Sequence, residues 1–335
     1  MSEHREDVII IGAGPCGLSA AIYLQEAGIE PLVIEKGNIV ESLYRYPTHQ
    51  QFFSSSDKLE IGNMPFVTEH PKPKRNQALT YYREVAKRKN IRIRRFEEVI
   101  EVKKEADECF SIVTDKNGKK AFYTARFVVI ATGYYDHPNY MGIPGEELPK
   151  VFHYFKEAHP FFDCDVVVIG GKNSAVDAAM ELHRAGARVT VIYRGSDYSP
   201  SIKPWILPEF QSLVKHGYVK MIFDADVIEI TEDRVIYKKN QETHEIVNDF
   251  VFAMTGYHPD HAFLKKLGVG VDQETGRPIY DQETMETNVS GVFIAGVIAA
   301  GNNANEIFIE NGRFHGEPIA KTISARIKKR MVNER

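Results

Sequence analysis

The chain of 335 residues contains 43% hydrophobic and 26% charged residues, which is typical of a soluble globular protein. A chain of this length is too long to fold around one ordinary hydrophobic core, so two domains are predicted. A net charge of −4 gives no reason to expect a nucleic acid or an anionic membrane as partner, and no apolar segment approaches the length of a membrane span. Three scattered cysteines exclude a disulfide framework and a metal site. Because the N-terminus shows no signal-peptide pattern, we expect a cytoplasmic protein.

Residues 8–36 predict a buried strand, a glycine-rich turn, a helix and a second strand. In the G-x-G-x-x-G spacing, the first glycine makes the tight turn, the second admits a pyrophosphate and the third packs the helix against the strand. An acid ends the second strand, where an adenosine ribose would present its hydroxyls. The complete pattern favours a dinucleotide site over a purely structural turn. Its candidate residues are Gly12, Gly14, Pro15, Cys16, Gly17, Glu35 and Lys36.

The next segment, residues 37–66, is irregular and rich in aromatic residues. It either wraps an aromatic cofactor or forms an ordinary loop with a small aromatic core. A helix is predicted over residues 76–89, with strands at 91–94, 99–102 and 110–113 and a hairpin turn at 116–118. The candidate cofactor contacts in this part of the chain are Ser42, Tyr44, His49 and Val99.

Residues 127–134, F-V-V-I-A-T-G-Y, form another predicted buried strand, and Thr132 and Gly133 at its end are further cofactor candidates. Prolines and glycines at positions 138–145 then break regular structure. We place the first domain crossing here, after residue 141.

Residues 165–194 repeat the opening stretch without a gap, at a constant shift that lays Gly12 on Gly170 and Gly17 on Ala175. Chance similarity rarely preserves the length and the end of the helix together, so this is a second βαβ unit. The chain therefore has two predicted dinucleotide sites.

The two copies differ at the residues that select the ligand. Glu35 aligns with Tyr193, and Lys36 aligns with Arg194. An acid would repel a 2′-phosphate, whereas a guanidinium binds one, so the second copy is predicted to bind NADPH. The alternative, that Arg194 is only a solvated strand end, stays open. The candidate residues of this site are Gly170, Gly171, Lys172, Asn173, Ser174, Arg194 and Lys203.

Lys172 replaces the glycine at which the backbone should meet pyrophosphate. Either its ammonium group binds the phosphate as a point charge, or the nucleotide lies differently in this copy.

The last third of the chain carries two more strand motifs. F-V-F-A-M-T-G-Y at 250–257 repeats the pattern of 127–134, and G-V-F-I-A-G at 291–296 predicts a last buried strand that ends beside the candidates Gly296 and Val297. One domain is therefore predicted to be discontinuous. Residues 1–141 and 262–335 form it, and residues 142–261 form the domain inserted into it.

The chain resembles the low-molecular-weight thioredoxin-reductase-like flavoproteins. The resemblance lies in two Rossmann-like units, twin T-G-Y segments, an I-P-G-E link and a terminal G-V-F-I-A-G. The resemblance implies an α/β fold of two Rossmann-like nucleotide-binding domains, the second inserted into the first. It also implies FAD in the first domain and NADPH in the second.

The redox C-x-x-C of thioredoxin reductases is absent, and Val297 stands where an aspartate usually holds the flavin. Three features are similar to the bacillithiol disulfide reductase group. They are a single cysteine in the first glycine loop, G-G-K-N-S-A at 170–175 and A-G-V-I-A-A-G at 295–301. By that likeness, an NADPH-reduced flavin reduces the disulfide of a low-molecular-weight thiol, bacillithiol disulfide. We also expect a homo-oligomer.

Cys16 is the candidate catalytic residue, because a thiolate near a helix N-terminus has a lowered pKa and attacks disulfides. The alternative is that it fills a slot for any small residue. Three other functions remain: a ferredoxin- or flavodoxin-type NADP reductase, a flavin monooxygenase, and a nicotinamide-binding sensor without turnover.

Overall fold

The computed structural model describes residues 4–105, 108–303 and 305–333. These residues form two compact units. Unit 1 comprises Met1–Arg45, Gln50–His137 and Tyr257–Arg335, and unit 2 comprises Tyr46–His49 and Pro138–Gly256. Within the described residues, no helix is both long and apolar enough to cross a membrane.

In chain order, the strands are β1 (His4–Ile11), β2 (Leu32–Glu35), β3 (Arg92–Arg95), β4 (Glu98–Lys104), β5 (Phe110–Lys116), β6 (Lys119–Ile130), β7 (Val151–Phe152), β8 (Asp165–Ile169), β9 (Arg188–Ile192), β10 (Val219–Ile222), β11 (Ala225–Ile230), β12 (Arg234–Lys239), β13 (Glu242–Val247), β14 (Phe250–Ala253) and β15 (Val292–Ile294). The helices are α1 (Pro15–Glu26), α2 (Glu41–Arg45), α3 (Arg75–Arg88), α4 (Asn173–Arg184), α5 (Leu207–Lys215), α6 (His261–Lys266), α7 (Ile309–Gly312) and α8 (Gly316–Asn333).

Unit 1 is organised by a seven-stranded sheet in the order β3-β2-β1-β6-β5-β4, with β15 also paired to β6. The strands β3, β2, β1, β6 and β15 are parallel, whereas β5 and β4 add an antiparallel edge. The apolar run that ends β1 is almost completely buried, as its β-branched sequence predicts. Parallel strands bring their carboxyl ends to one edge of the sheet, so β1, β2 and β6 deliver the first glycine loop, Glu35 and Thr132 to the same edge.

Unit 2 repeats this plan with a five-stranded parallel sheet in the order β10-β9-β8-β14-β7. A separate antiparallel sheet, β11-β12-β13, follows β10 in the chain. One core cluster packs α4 and α5 against β8, β9 and β14, and a second cluster includes residues of β8, β11 and β12. The unit β8-α4-β9 has the strand order of β1-α1-β2 and the same helix length of 12 residues, in agreement with the internal repeat.

Strands β6 and β13 differ from the sequence-based prediction. The hairpin strand and the buried strand before Thr132 form one continuous strand, β6, whose exposure falls from its hairpin end to its buried end. Strand β13 was not predicted, because all of its residues are exposed or half-buried and show no buried apolar face. The predicted hairpin turn is present, with Asn117 and Gly118 both at positive φ, as the right-handed twist of a two-residue hairpin requires.

Candidate functional site

The first glycine loop packs tightly on its protein side. Gly12 has φ of +107°, and a Cβ there would lie 2.5 Å from the carbonyl oxygen of Ala131. A Cβ on Gly17 would lie 2.1 Å from the carbonyl oxygen of Gly12. Nothing lies within 4 Å of the corresponding position on Gly14. The loop is therefore closed at its first and third glycines and open at its second, which is the arrangement that admits a pyrophosphate.

Glu35 ends β2 and stabilises this loop directly. Its Oε2 accepts a hydrogen bond of 2.7 Å from the Ala13 N–H, and its Oε1 accepts one of 2.7 Å from the Gly37 N–H. Burial raises the pKa of the Glu35 carboxyl, and the two backbone hydrogen bonds oppose that shift. Each carboxylate oxygen retains a lone pair for a ribose hydroxyl. Glu35 thus combines a structural role with the predicted binding role.

The candidates that follow Glu35 lie in different settings. Lys36 forms an ion pair of 2.8 Å with Asp136, which also binds Arg45. Ser42 is half-buried in α2, and Val99 is half-buried in β4 beside an irregular register. Tyr44 is 54% exposed. His49 is exposed and falls in the short segment of unit 2, in which the Thr48 N–H donates to the Lys156 carbonyl oxygen.

Arg75 holds the aromatic segment, although the sequence analysis did not select it. It is only 8% exposed, and its guanidinium donates to the carbonyl oxygens of Leu43 and Tyr44 at the end of α2. Its Cζ also lies 5.2 Å from the centroid of the Tyr44 ring. This clamp fixes the backbone of α2, which carries Ser42.

Thr132 and Gly133 follow β6 at the sheet edge that carries the first glycine loop. The Thr132 hydroxyl is buried and has no hydrogen-bond partner among the described residues. Since a buried hydroxyl without a partner is costly, it suits a polar ligand at this edge. Gly133 has φ of +71°. With the open face of Gly14 and the acid at Glu35, these residues fit the adenosine and pyrophosphate groups of FAD.

Cys16 lies at the start of α1 in a slot formed by two glycines of the C-terminal part of unit 1. A Cβ on Gly296 would lie 2.8 Å from the Cys16 Cβ and 3.0 Å from its Sγ. A Cβ on Gly312 would lie 3.0 Å from the same Sγ. Any larger residue at either glycine would collide with the cysteine. The backbone of both glycines therefore lies close to the thiol of half-buried Cys16.

The expectation that the Cys16 pKa is lowered is wrong for the groups that the protein supplies. Burial is the larger cause and the carboxylate of Glu310 is the second, and together they raise the pKa of the thiol to about 12. Cys16 is half-buried as a whole residue, and the burial of its thiol outweighs the effect of the helix N-terminus.

Gly296 and Val297 follow β15, as predicted. Gly296 has φ of +82°, and its N–H donates to Nδ1 of His315 at 3.1 Å. Burial lowers the pKa of the His315 imidazole, which agrees with a neutral ring accepting at Nδ1. Val297 is half-buried at the start of a 3-10 turn over Val297–Ala300. It offers no hydrogen bond through its side chain, so the usual acidic flavin contact has no equivalent at this position.

The second glycine loop differs from the first. Gly170 has φ of +137°, and a Cβ there would lie 2.5 Å from the Met254 carbonyl oxygen, so the tight turn is retained. The Tyr193 ring, however, lies directly over Gly171 and Gly195. Tyr193 therefore covers the loop at the place where Glu35 supports it in the first copy. An aromatic side chain has replaced the acid as the support of the loop.

The charged candidates of unit 2 surround the start of α4. Lys172 is exposed at the N-cap of α4, and Ser174 is exposed in its first turn. Arg194 is exposed just beyond β9, and no described residue forms an ion pair with it. These positions suit phosphate binding, because the helix N-terminus and both cations favour an anion.

Asn173 does not present a free amide to a ligand. Its Nδ2 donates to the Ser201 carbonyl oxygen at 2.8 Å, and its Oδ1 accepts from the Lys203 N–H at 2.9 Å. The side chain thereby ties the loop of half-buried Lys203 to the start of α4. Asn173 retains its backbone N–H as a donor for the nucleotide.

Asp177 on α4 is a titratable group that the sequence analysis missed. Burial, followed by the nearby charge of Glu181, raises the pKa of its carboxyl to about 7, against the opposing effect of Arg184. No hydrogen bond to a described residue compensates this burial. The only sequence signal was an acid that stands in the chain between Val176 and Ala178, two apolar residues of α4.

The chain belongs to the pyridine nucleotide-disulphide oxidoreductase family, whose sequence model matches residues 9–296. Bacilliredoxin reductase Bdr from Bacillus subtilis (strain 168) is 67% identical to it over 323 residues, which are 96% of this chain and 98% of that protein. The solved structure of bacillithiol disulfide reductase Bdr from Bacillus cereus is 65% identical, with a TM-score of 0.95 over 96% of this chain and 100% of that chain. The corresponding structure from Staphylococcus aureus is 59% identical, with a TM-score of 0.92 over 96% and 99%.

These similarities confirm the predicted fold class of two Rossmann-like domains and the resemblance to the bacillithiol disulfide reductase group. They also confirm an oxidoreductase and the two predicted cofactors, FAD and NADPH, which enzymes of this family use. The roles of individual residues in binding and catalysis stay predictions.

Proposed function

We propose that this protein uses NADPH to reduce the disulfide of a low-molecular-weight thiol, bacillithiol disulfide, in the cytoplasm. The observation that carries the proposal is the identity of 65% over nearly the full chain to a bacillithiol disulfide reductase. The single cysteine in the first glycine loop supports it, because the chain has no C-x-x-C that would serve a different reductase mechanism. The overall reaction is NADPH + H⁺ + RSSR → NADP⁺ + 2 RSH.

In this proposal, residues 1–141 and 262–335 form the FAD domain and residues 142–261 form the NADPH domain. Bound FAD supplies the chemistry that accepts a hydride from NADPH and returns two electrons to a disulfide. The backbone N–H groups at the start of α1 bind the FAD pyrophosphate, and Glu35 binds the adenosine ribose. Arg194 binds the 2′-phosphate of NADPH, and Lys172 supplies a second positive charge.

Cys16 is the proposed catalytic residue. As a thiolate it attacks one sulfur of the substrate, so that Cys16–S⁻ and RSSR give a Cys16–SR mixed disulfide and RS⁻. The hydride of NADPH supplies two electrons and one proton, and solvent supplies the second proton, which together return the Cys16 thiol and the second RSH, while the released RS⁻ takes up the proton that Cys16 lost. Because burial raises the pKa of this thiol, Cys16 must lose its proton before it attacks.

A second candidate substrate is a protein. The relative from Bacillus subtilis is named a bacilliredoxin reductase, whereas the solved structures are named for the small-molecule disulfide. A disulfide between a small thiol and a redox protein would present the same sulfur chemistry on a larger surface. This candidate shares the cofactors and Cys16 with the main proposal and differs in what carries the disulfide.

The experiment is a steady-state assay of NADPH oxidation by the FAD-loaded protein with four acceptors: bacillithiol disulfide, an oxidised bacilliredoxin, ferredoxin and oxygen. The proposal predicts the highest kcat/KM with bacillithiol disulfide. A preference for bacilliredoxin would select the second candidate, and turnover with only ferredoxin or oxygen would contradict both. The proposed homo-oligomer is tested separately, by light scattering of the purified holoenzyme.

A further inference from the structure

We propose that the basic edge of unit 1, formed by the end of α3 and by β3, is the docking surface for an acidic redox protein that carries the disulfide. This inference rests on the proposed function, because it concerns the protein that stands there as the second candidate substrate. It assigns a surface of this chain to that protein, and it gives the small-molecule disulfide no contact with this surface.

Basic residues are concentrated in one short stretch of the chain. Residues 83–95 contain seven basic side chains and one acidic side chain, although the whole chain has a net charge of −4. Six of the seven basic residues are exposed, and Lys89 is half-buried. The remainder of the chain is therefore acidic overall, and this edge has the opposite charge. The seven residues are Arg83, Lys87, Arg88, Lys89, Arg92, Arg94 and Arg95.

These residues form one continuous surface because α3 leads directly into β3. Helix α3 ends at Arg88, Asn90 turns the chain with φ of +51°, and β3 begins at Arg92. Strand β3 is the outermost strand of its sheet and pairs with β2. Successive side chains of a strand point to opposite faces, yet Arg94 and Arg95 are both exposed at this edge.

Only part of this positive charge is neutralised within unit 1. Arg92 forms a bidentate ion pair with Glu6, at 2.7 and 2.9 Å, and Arg88 lies 3.4 Å from the Glu84 carboxylate. The other five cations form no ion pair with a described residue, and they are Arg83, Lys87, Lys89, Arg94 and Arg95. Their combined field attracts a partner of negative charge and orients it before contact.

The carboxyl end of β3 is joined to the first nucleotide-binding site. The Phe96 N–H donates to the Gly37 carbonyl oxygen at 2.9 Å, and the Glu97 N–H donates to the Glu35 carbonyl oxygen at 3.0 Å. Glu35 in turn holds the first glycine loop through the Ala13 N–H. Phe96 is 53% exposed. Two arginines thus precede an exposed aromatic ring, and aromatic and arginine side chains are the types that anchor protein interfaces.

A protein docked at this edge is large enough to reach the site of disulfide chemistry. Only β2 lies between β3 and β1, and neighbouring strands are about 4.8 Å apart, so about 10 Å separates β3 from the strand that leads into the first glycine loop. A standard interface covers about 800 Å² on each partner, which corresponds to a width of about 30 Å. A partner bound at Arg94, Arg95 and Phe96 therefore extends over the loop that contains Cys16.

Charged residues on an edge strand also prevent association between sheet edges, but that role requires charge of either sign. Docking of an acidic partner requires positive charge. Reversal of the charge at Arg94 and Arg95 therefore separates the two roles, because it keeps the edge charged and removes the attraction.

The test uses the holoenzyme and an oxidised bacilliredoxin of acidic sequence that carries a fluorescent label. We expect Arg94→Glu/Arg95→Glu to raise the Kd from fluorescence anisotropy, and the KM for this protein in the NADPH assay, about tenfold or more at low salt. The kcat/KM for bacillithiol disulfide should stay within about twofold of the parent, because a small disulfide does not need the edge. Binding by the parent should weaken as the salt concentration rises.

Two matched variants complete the test. Lys265→Glu/Lys266→Glu reverses two exposed charges at the end of α6 in the same unit and should bind like the parent. Equal weakening in both charge-reversed variants would show an effect of net charge alone and would overturn the proposal. Arg94→Gln/Arg95→Gln, a milder change, should weaken binding to a smaller extent. An unchanged Kd in both Arg94/Arg95 variants would also overturn it, as would equally tight binding of a DNA duplex by the parent.

The inference and the proposed function can fail separately. If the parent reduces bacillithiol disulfide but does not bind bacilliredoxin, the main function stands and the docking surface is wrong. If bacilliredoxin binds through Arg94 and Arg95 but bacillithiol disulfide is not reduced, the docking surface stands and the main function is wrong. The flavin-to-protein absorbance ratio of each variant verifies that holoenzymes are compared.

Discussion

The Cys16 thiol and the α-carbon of Gly312 approach so closely that one methyl group on Gly312 would lie 3.0 Å from Sγ. Helix α1, in the first nucleotide-binding unit, and helix α7, near the end of the chain, therefore share a slot. The slot has the size of a cysteine side chain. Gly296 forms the other wall, since a Cβ added to it would lie 3.0 Å from the same sulfur. The slot links the reactive residue to the backbone of the C-terminal segment.

We predict that Gly312→Ala destabilises the protein through this contact. Overpacking of an enclosed site costs about 1–3 kcal/mol in the free energy of unfolding. Truncation of the sulfur in the double variant Cys16→Ala/Gly312→Ala should return part of that loss, because the collision partner is gone. Urea denaturation of the four proteins in this double-mutant cycle measures the coupling. Independent, additive effects would show that the two residues do not collide.

Glu35→Gln should weaken the first glycine loop and its hold on FAD. Both carboxylate oxygens accept backbone N–H groups at 2.7 Å, whereas a glutamine would direct its NH₂ group at one of these donors. A buried donor without an acceptor costs about 1–3 kcal/mol. The measurement is FAD release, followed by flavin fluorescence during urea denaturation, with exposed Glu30→Gln as the matched control. An unchanged release midpoint in Glu35→Gln would contradict the role of the carboxylate.

Arg194→Ala should reduce the preference for NADPH over NADH. A guanidinium paired with a 2′-phosphate contributes about 1.5–3 kcal/mol, so KM for NADPH should rise about tenfold or more while KM for NADH changes little. Arg234→Ala removes a half-buried arginine of unit 2, which pairs with Glu245, and serves as the control. Parallel changes of both KM values in Arg194→Ala would indicate a solvated strand end, the alternative left open by the sequence.

Asp177 should make the stability of the nucleotide-free protein fall as the pH rises from about 4 to 7. Its pKa is about 7 in the folded protein and 3.8 ordinarily, so the folded state binds the proton more tightly over this interval. At about 1.4 kcal/mol per pKa unit, the upper limit of the loss is about 4 kcal/mol.

Asp177→Asn should remove this contribution and raise the free energy of unfolding above pH 7, with little effect below pH 4. Urea denaturation across this pH range measures it. Asp226→Asn, at an exposed carboxyl on β11, is the control. If Asp177→Asn and the parent lose stability equally with pH, the carboxyl is not the source of the loss.

The sequence predicted the nucleotide-binding loops because their signals are local. The buried run before Gly12, the positive φ of Gly12 and Gly170, and the acid at the end of β2 all follow from short-range periodicity and glycine chemistry. The repeat then identified the second unit without any structural information. Strand β13 was missed because an exposed edge strand has no buried face to reveal it.

The setting of Cys16 was not predictable, since it depends on contacts between distant parts of the chain. The helix N-terminus suggests a lowered pKa, but burial beside Gly296 and Gly312 and, second, the charge of Glu310 raise the pKa of the thiol. The same limit applies to Asn173, whose amide binds a loop about 30 residues later instead of remaining free. A motif specifies which groups are present, whereas tertiary packing decides which of them remain available.

The most direct test of the proposed function is a single-turnover experiment under anaerobic conditions. The flavin of the holoenzyme is first reduced with one equivalent of NADPH, and bacillithiol disulfide is then added while the flavin absorbance is recorded. We predict that the wild-type flavin is reoxidised with release of two thiols per disulfide, whereas Cys16→Ala is reduced normally by NADPH and then stays reduced. Reoxidation of Cys16→Ala at the wild-type rate, or a wild-type flavin that does not respond to the disulfide, would contradict the account.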